Sequence, residues 1–155
     1  FIDINFGCPI DQVFRKGMGS GLLERPKRIG EIVAAVQEAI DGRCSLTCKL
    51  RIGIREDRPV AHTLVPLFSS HGVAAVTVHG RTRQQRYTKL ADWSYIDECL
   101  GSRPEESSMA VIGNGDIMSP QDYHDRRGRL DAVMIGRGAL IKPWLFREIK
   151  ENRII

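Results

Sequence analysis

No stretch of this 155-residue sequence approaches the roughly 20 consecutive apolar residues that a membrane-spanning helix requires. The opening residues also lack the charged, apolar and small-residue succession of a signal peptide, so a soluble protein, cytoplasmic and/or nuclear, without a membrane partner, is expected. Cysteine is scarce: Cys8, Cys44, Cys48 and Cys99 are too scattered for a disulfide framework, in a chain long enough to build a core without staples, so the thiols are expected to be reduced. Cys44 and Cys48 have the spacing of half a zinc site, but no second pair of ligands follows, and no metal is expected. No low-complexity tract, linker or internal repeat interrupts the chain, no protein partner is evident, and no G-x-G-x-x-G follows a strand, which argues against a Rossmann dinucleotide site.

What is present is ordinary globular composition, 42% hydrophobic and 27% charged, so disorder is not the default. The net charge of +4 points only mildly towards a polyanionic partner. Its placement is more informative, because Arg81, Arg83, Arg86 and Lys89 crowd one short stretch.

Five short β-branched or apolar runs recur at 1–4, 46–52, 74–78, 109–112 and 132–135, separated by segments with helical spacing or helix-start signals. Ile29, Ile32, Val33, Val36 and Ile40 fall on one face of a helix after Pro26. Val60, Leu64, Leu67 and Phe68 mark a second helix ending near Gly72, in which Pro66 predicts a kink or an early break. A third is expected around 93–100. A fourth starts at Ser119 as N-cap with Pro120 at the first helical position, and a last turn begins at Pro143.

Strand alternating with helix implies a parallel sheet, either doubly wound or a (β/α)8 TIM barrel. The strand ends favour the barrel. Asn5-Phe6-Gly7-Cys8, Lys49-Leu50-Arg51, His79-Gly80-Arg81, Asn114-Gly115-Asp116 and Gly136-Arg137-Gly138 would all face one rim, where barrel active sites are built. Only about the last five βα units of such a barrel are visible, whereas eight strands and about 250 residues are usual. Residues 1–155 are therefore expected to be the C-terminal part of a barrel domain.

Gly113, Gly115, Gly136 and Gly138, with Arg137, have the makings of a phosphate site, since glycine lets backbone N–H groups approach an anion and arginine offers a forked cationic donor. Tight turns alone would also use these glycines. Lys49 lies inside an apolar strand, a costly place for an ammonium unless an anion meets it or it snorkels out at the strand end. Cys8, between Gly7 and Pro9, sits in a rigid turn. An ordinary thiol is protonated at neutral pH and can donate that proton; the nucleophile and buried-hydrophobe readings stay open, although no His or Asn base is adjacent.

The segments around Cys8, residues 17–23, 49–53, 78–82, 114–117 and 134–140 resemble, in order and spacing, those of the tRNA-dihydrouridine synthase family. Residues 3–11, 84–93 and 142–146 resemble its eukaryotic branch acting at tRNA position 47. The resemblance implies an FMN-dependent barrel, NADPH as hydride donor, and reduction of a uridine to 5,6-dihydrouridine in tRNA. It also implies Cys8 as catalytic acid, FMN contacts from Lys49, His79, Asn114, Gly115, Asp116, Gly136 and Arg137, and Asn5 orienting the uracil. Arg51, Arg81, Arg83, Arg86 and Lys89 would meet the substrate and its phosphates, with Tyr87 available to stack. The family's first barrel strands and its C-terminal helical tRNA-binding domain are not among the segments matched. Gly21, where the family usually has Ala, and the charged run 126–129 depart from the pattern. Two alternatives remain: an FMN barrel acting on a small molecule, such as a dihydroorotate dehydrogenase relative, and an inactive RNA-binding or structural fragment.

Overall fold

The computed structural model describes residues 1–155. Five parallel strands form one sheet: β1 (Ile2–Phe6), β2 (Leu46–Arg51), β5 (Ala75–His79), β6 (Ala110–Asn114) and β7 (Ala132–Met134), adjacent in chain order. A doubly wound sheet reverses its strand order at a switch point, and this one does not. Monotonic parallel order with intervening helices is the arrangement of part of a (β/α)8 barrel.

Register explains how the sheet separates core from site. Phe6 pairs with Leu50 and Leu50 with Val78, while Cys48 pairs with Val76 and Val76 with Val111. This face is fully buried beneath α2 (Pro26–Ile40), α3 (Ala61–Ser70) and α4 (Trp93–Gly101). Residues one position away point to the opposite face. There Asn5 pairs with Lys49 and Lys49 with Thr77; one rung further on, Arg51, His79, Asn114 and Met134 pair in succession. Polar residues thus alternate with apolar ones because only one face of the sheet is covered by helices.

The helices follow their local signals. α2 starts with Pro26 at its first position and buries Ile29, Val33 and Ile40, with Ile32 and Val36 half-buried against the core. Asp92 caps α4, its side chain accepting from the Tyr95 N–H at 3.0 Å. Ser119 caps α5 (Pro120–Arg127), accepting from the Asp122 N–H at 3.1 Å, as its sequence predicts.

Other expectations need correction. α3 runs through Pro66 to Ser70 without an early break, because burial of Leu64, Val65 and Phe68 outweighs the one hydrogen bond that proline removes. β1 and β6 each extend two residues further towards the rim than their apolar runs suggest. Gly113 is not a loop glycine: it lies within β6, where a Cβ would come 2.5 Å from Trp93 and 2.8 Å from Leu130. The short α1 (Asp11–Arg15), a 3-10 turn at Gly19–Leu22, the hairpin of β3 (Gly53–Arg55) and β4 (Arg58–Pro59), and α6 (Arg137–Ile141) have no periodic signal in the sequence. The final α7 (Leu145–Glu151) starts beyond Pro143. No helix is long and apolar enough to cross a membrane.

Candidate active site

A cleft of about 390 Å³ opens at the C-terminal ends of the strands. Asn5, Cys8, Lys49, Arg51, His79, Arg81, Tyr87, Asn114, Gly115, Asp116, Gly136 and Arg137 all line it. Arg83, Arg86 and Lys89 do not.

Each wall is built by a strand end. On β1, Asn5 Oδ1 accepts from the N–H groups of Gly7 at 2.9 Å and Cys8 at 3.0 Å. This folds the chain tightly after the strand and leaves Cys8 half-buried at the rim. On β2, Lys49 faces the cleft without an ion-pair or hydrogen-bond partner; burial first, then the Arg51 charge, lowers its ammonium below the ordinary lysine value, with Asp3 pulling the other way.

On β5, burial and then the charges of Arg51, Lys49 and Arg81 push His79 down to about 3. The imidazole is therefore neutral at physiological pH. Arg81 Nη1 lies 3.3 Å from its Nε2, which assigns Nε2 as acceptor and places the proton on Nδ1. On β6, Asn114 Nδ2 donates to the Met134 carbonyl at 2.8 Å, tying β6 to β7. Gly115 has φ +133 and a Cβ there would meet Ala91 at 2.5 Å, so only glycine lets the chain turn under the β5 loop.

Asp116 is the hub of the far wall. Arg81 Nη2 reaches both its oxygens at 2.6 Å, the Ala91 N–H donates to Oδ2 at 2.8 Å, and Arg137 Nη2 reaches Oδ1 at 2.9 Å. Burial alone would raise this carboxyl; the Arg81 and Ala91 hydrogen bonds and the two arginine charges hold it below the usual carboxylate range. Arg137 also lies over the half-exposed ring of Tyr87, 4.4 Å from its centroid.

Two expectations about the basic residues are revised. Arg51 and Arg81 are 3% and 2% exposed and so are not surface contacts for phosphates. Arg51 donates to the Gly7 and Thr82 carbonyls, both at 3.0 Å, and Arg81 is spent on Asp116 and the Lys89 carbonyl. Arg86 and Lys89 remain on the outside, while Arg83 is mostly buried over the Phe14 ring, and all three pair with carboxylates: Asp11 Oδ1 takes Arg83 at 2.5 Å and Arg86 at 2.8 Å, and Glu56 takes Lys89 at 2.5 Å. The lining also has an apolar part, Ile117, Met118 and Met134, to which the sequence reading gave no site role. Met118 and Met134 are 37% and 36% exposed. Their only signal was position beside the strand-end motifs. Cys48, by contrast, faces the core, where burial pushes its thiol up to about 12.

A parallel barrel sheet with a polar, cation-rich cleft at the carboxyl ends of its strands defines the class: a barrel-type α/β domain of the kind that carries its active site on that rim. The family model described as dihydrouridine synthase (Dus) matches residues 1–154, and the chain belongs to that family. It is 49% identical to a Coprinopsis cinerea tRNA-dihydrouridine(47) synthase (NAD(P)(+)) over 99% of its own length and 24% of that relative's. It is likewise 49% identical to the human tRNA-dihydrouridine(47) synthase (NAD(P)(+))-like protein, covering 99% of this chain and 23% of that one. A Schizosaccharomyces pombe relative, also a tRNA-dihydrouridine(47) synthase (NAD(P)(+)), is 43% identical over 100% of this chain and 28% of its own length. The chain thus spans about a quarter of the curated relatives it matches.

Proposed function

We propose that this chain is the cofactor-facing part of the catalytic barrel of a tRNA-dihydrouridine synthase, with FMN held in the cleft, NADPH as electron source and a tRNA uridine as substrate. On this reading residues 1–155 are the C-terminal part of the barrel domain, the other barrel strands and a helical tRNA-binding domain belonging to the rest of a cytoplasmic or nuclear protein. The observation that carries it is the company of Cys8. Its rim is shared with Lys49, Arg51, Arg81 and Arg137, opposed by one carboxylate, Asp116.

That cleft suits an anionic cofactor. Lys49 has no direct ion-pair partner and its ammonium is depressed by burial and by Arg51 more than Asp3 restores it, so a group bearing negative charge at that wall offsets a cost the fold already carries. Gly136 opens α6 beside Arg137, where backbone and guanidinium donors can take a phosphate. Lys49, neutral His79, Asn114, Gly115, Asp116, Gly136 and Arg137 would hold FMN, with Asp116 acting through the arginines it orients. Bound there and reduced, FMN would supply the hydride-transfer chemistry at C6 of the uracil.

Cys8 completes the reaction. As C6 gains hydride, the C5=C6 π pair becomes a new C5–H bond using the Cys8 thiol proton; the S–H bond breaks, a thiolate remains, and solvent reprotonates it. Asn5 Oδ1 is occupied by the Gly7 and Cys8 amides, which leaves its Nδ2 to meet a uracil carbonyl. A base in folded tRNA must leave its stack to reach the cleft. Arg86 and Lys89 can meet phosphates only by exchanging Asp11 and Glu56 for them, and exposed ion pairs are weak enough to permit this, whereas Arg83, mostly buried over Phe14, could offer a phosphate only the outer end that now holds Asp11. Tyr87 would stack on the base at the mouth.

In the full-length protein, Cys8→Ala is expected to lower dihydrouridine formation on unmodified tRNA by about 10²- to 10⁴-fold, the range of general acid catalysis, while flavin remains bound. Unchanged turnover would remove Cys8 from the role of acid.

A further inference from the structure

A thiol on a loop can protonate one chosen carbon only if its main chain is fixed. Cys8 is held from both sides. On the amide side, Asn5 Oδ1 accepts from Gly7 and Cys8 N–H. On the carbonyl side, Ser20 Oγ donates to the Cys8 oxygen at 2.7 Å and the Ser20 N–H reaches the same oxygen at 3.2 Å.

Ser20 does not line the cleft and is 0% exposed. Its hydroxyl makes this one hydrogen bond, to a residue 12 positions away, rather than closing its own 3-10 turn. Gly19 beside it has φ +55, and a Cβ there would come 2.8 Å from Cys8 Cβ. The turn therefore runs close behind the Cys8 side chain and leaves no room for a side chain at position 19.

We infer that Ser20 is a positioning residue for Cys8: its buried hydroxyl and amide anchor the Cys8 carbonyl opposite the Asn5 clamp and so set where the thiol points. The inference rests on Cys8 being the proton donor. Losing the hydroxyl leaves the Asn5 side and the cofactor walls intact, so the loss falls on the step that uses Cys8.

The test uses Ser20→Ala in the full-length, flavin-loaded protein, with the two half-reactions measured separately. Reduction of tRNA uridine by pre-reduced enzyme is expected to slow about 10- to 100-fold, the cost of a small misplacement of a reacting group, while reduction of the flavin by NADPH keeps its rate. Equal slowing of both, or of neither, overturns the inference. A second readout needs no turnover: alkylation of Cys8 by iodoacetamide is compared with that of exposed Cys44 in the same chain, by peptide mass. The Cys8-to-Cys44 ratio is expected to rise roughly threefold to tenfold in Ser20→Ala, the equivalent of one net hydrogen bond; an unchanged ratio refutes the positioning role. Should the variant not fold, hydrogen exchange on the unmutated protein decides, since the Ser20 amide must be protected and fast exchange there overturns the clamp. Full activity in Cys8→Ala would instead overturn the assignment of Cys8 as acid and leave the alkylation result standing.

Discussion

His79 sits 6% exposed among Lys49, Arg51 and Arg81, and that surrounding has a consequence for acid stability. Its value is about 3 in the folded chain against 6.5 as a free group, so between those limits the unfolded chain binds the extra proton. The stability contribution is complete above about 6.5 and is lost progressively as pH falls towards about 3. Asp116, held below the usual carboxylate range, acts in the same direction. The urea midpoint of the protein is therefore expected to fall with pH across that window, and His79→Gln to flatten the dependence. A profile as steep in the variant as in the parent would contradict the buried, neutral imidazole. At this scale the sequence was a partial guide. Cys8, Lys49 and Asn114 announce themselves by standing at strand ends, but Ser20 does not, because nothing local distinguishes a buried serine from a solvated one.

Among the elements, β6 shows how packing selects a residue that motif reading assigns elsewhere. Gly113 lies in the strand beneath Trp93 and Leu130, and α4 lies against β6 there because no Cβ intervenes. Gly113→Ala is expected to destabilise the fold by about 1–3 kcal/mol, the range for overpacking a core, read as a lowered denaturant midpoint. Gly101→Ala, at the end of α4 with nothing within 4 Å of the added carbon, serves as the control. It should leave stability unchanged or raise it by up to about 1 kcal/mol. Strands, α2 and the Ser119 cap were legible because each depends on neighbours within a few positions. α1, α6 and the β3–β4 hairpin were not, since none spans enough residues to show a period.

Taken as a whole the molecule carries a net charge of +4, yet its cations are divided between two tasks. Arg51 and Arg81 are internal struts, Arg83 is mostly buried against Phe14 with its outer end on Asp11, and Arg86 and Lys89 are exterior and paired. Charge reversal at Arg83 and Arg86 in the full-length protein is expected to weaken tRNA binding and to reduce the slope of log affinity against log salt by about one for each phosphate that is no longer neutralised. Flavin content should not change. Binding and slope equal to those of the parent would favour the small-molecule reading of the cleft instead.

The sequence by itself determined the parallel α/β pattern, the cap of α5, and the gathering of polar residues at strand ends, because hydrophobic alternation and capping are interactions between near neighbours. Tertiary structure alone decided which of those polar groups remain free to act. Asp116 meets Arg81 across 35 positions, Asp11 meets Arg83 across 72, and Ser20 meets Cys8 across 12. A charge or hydroxyl is available to a ligand only if the fold has not already given it a partner, and such partners arrive on other loops.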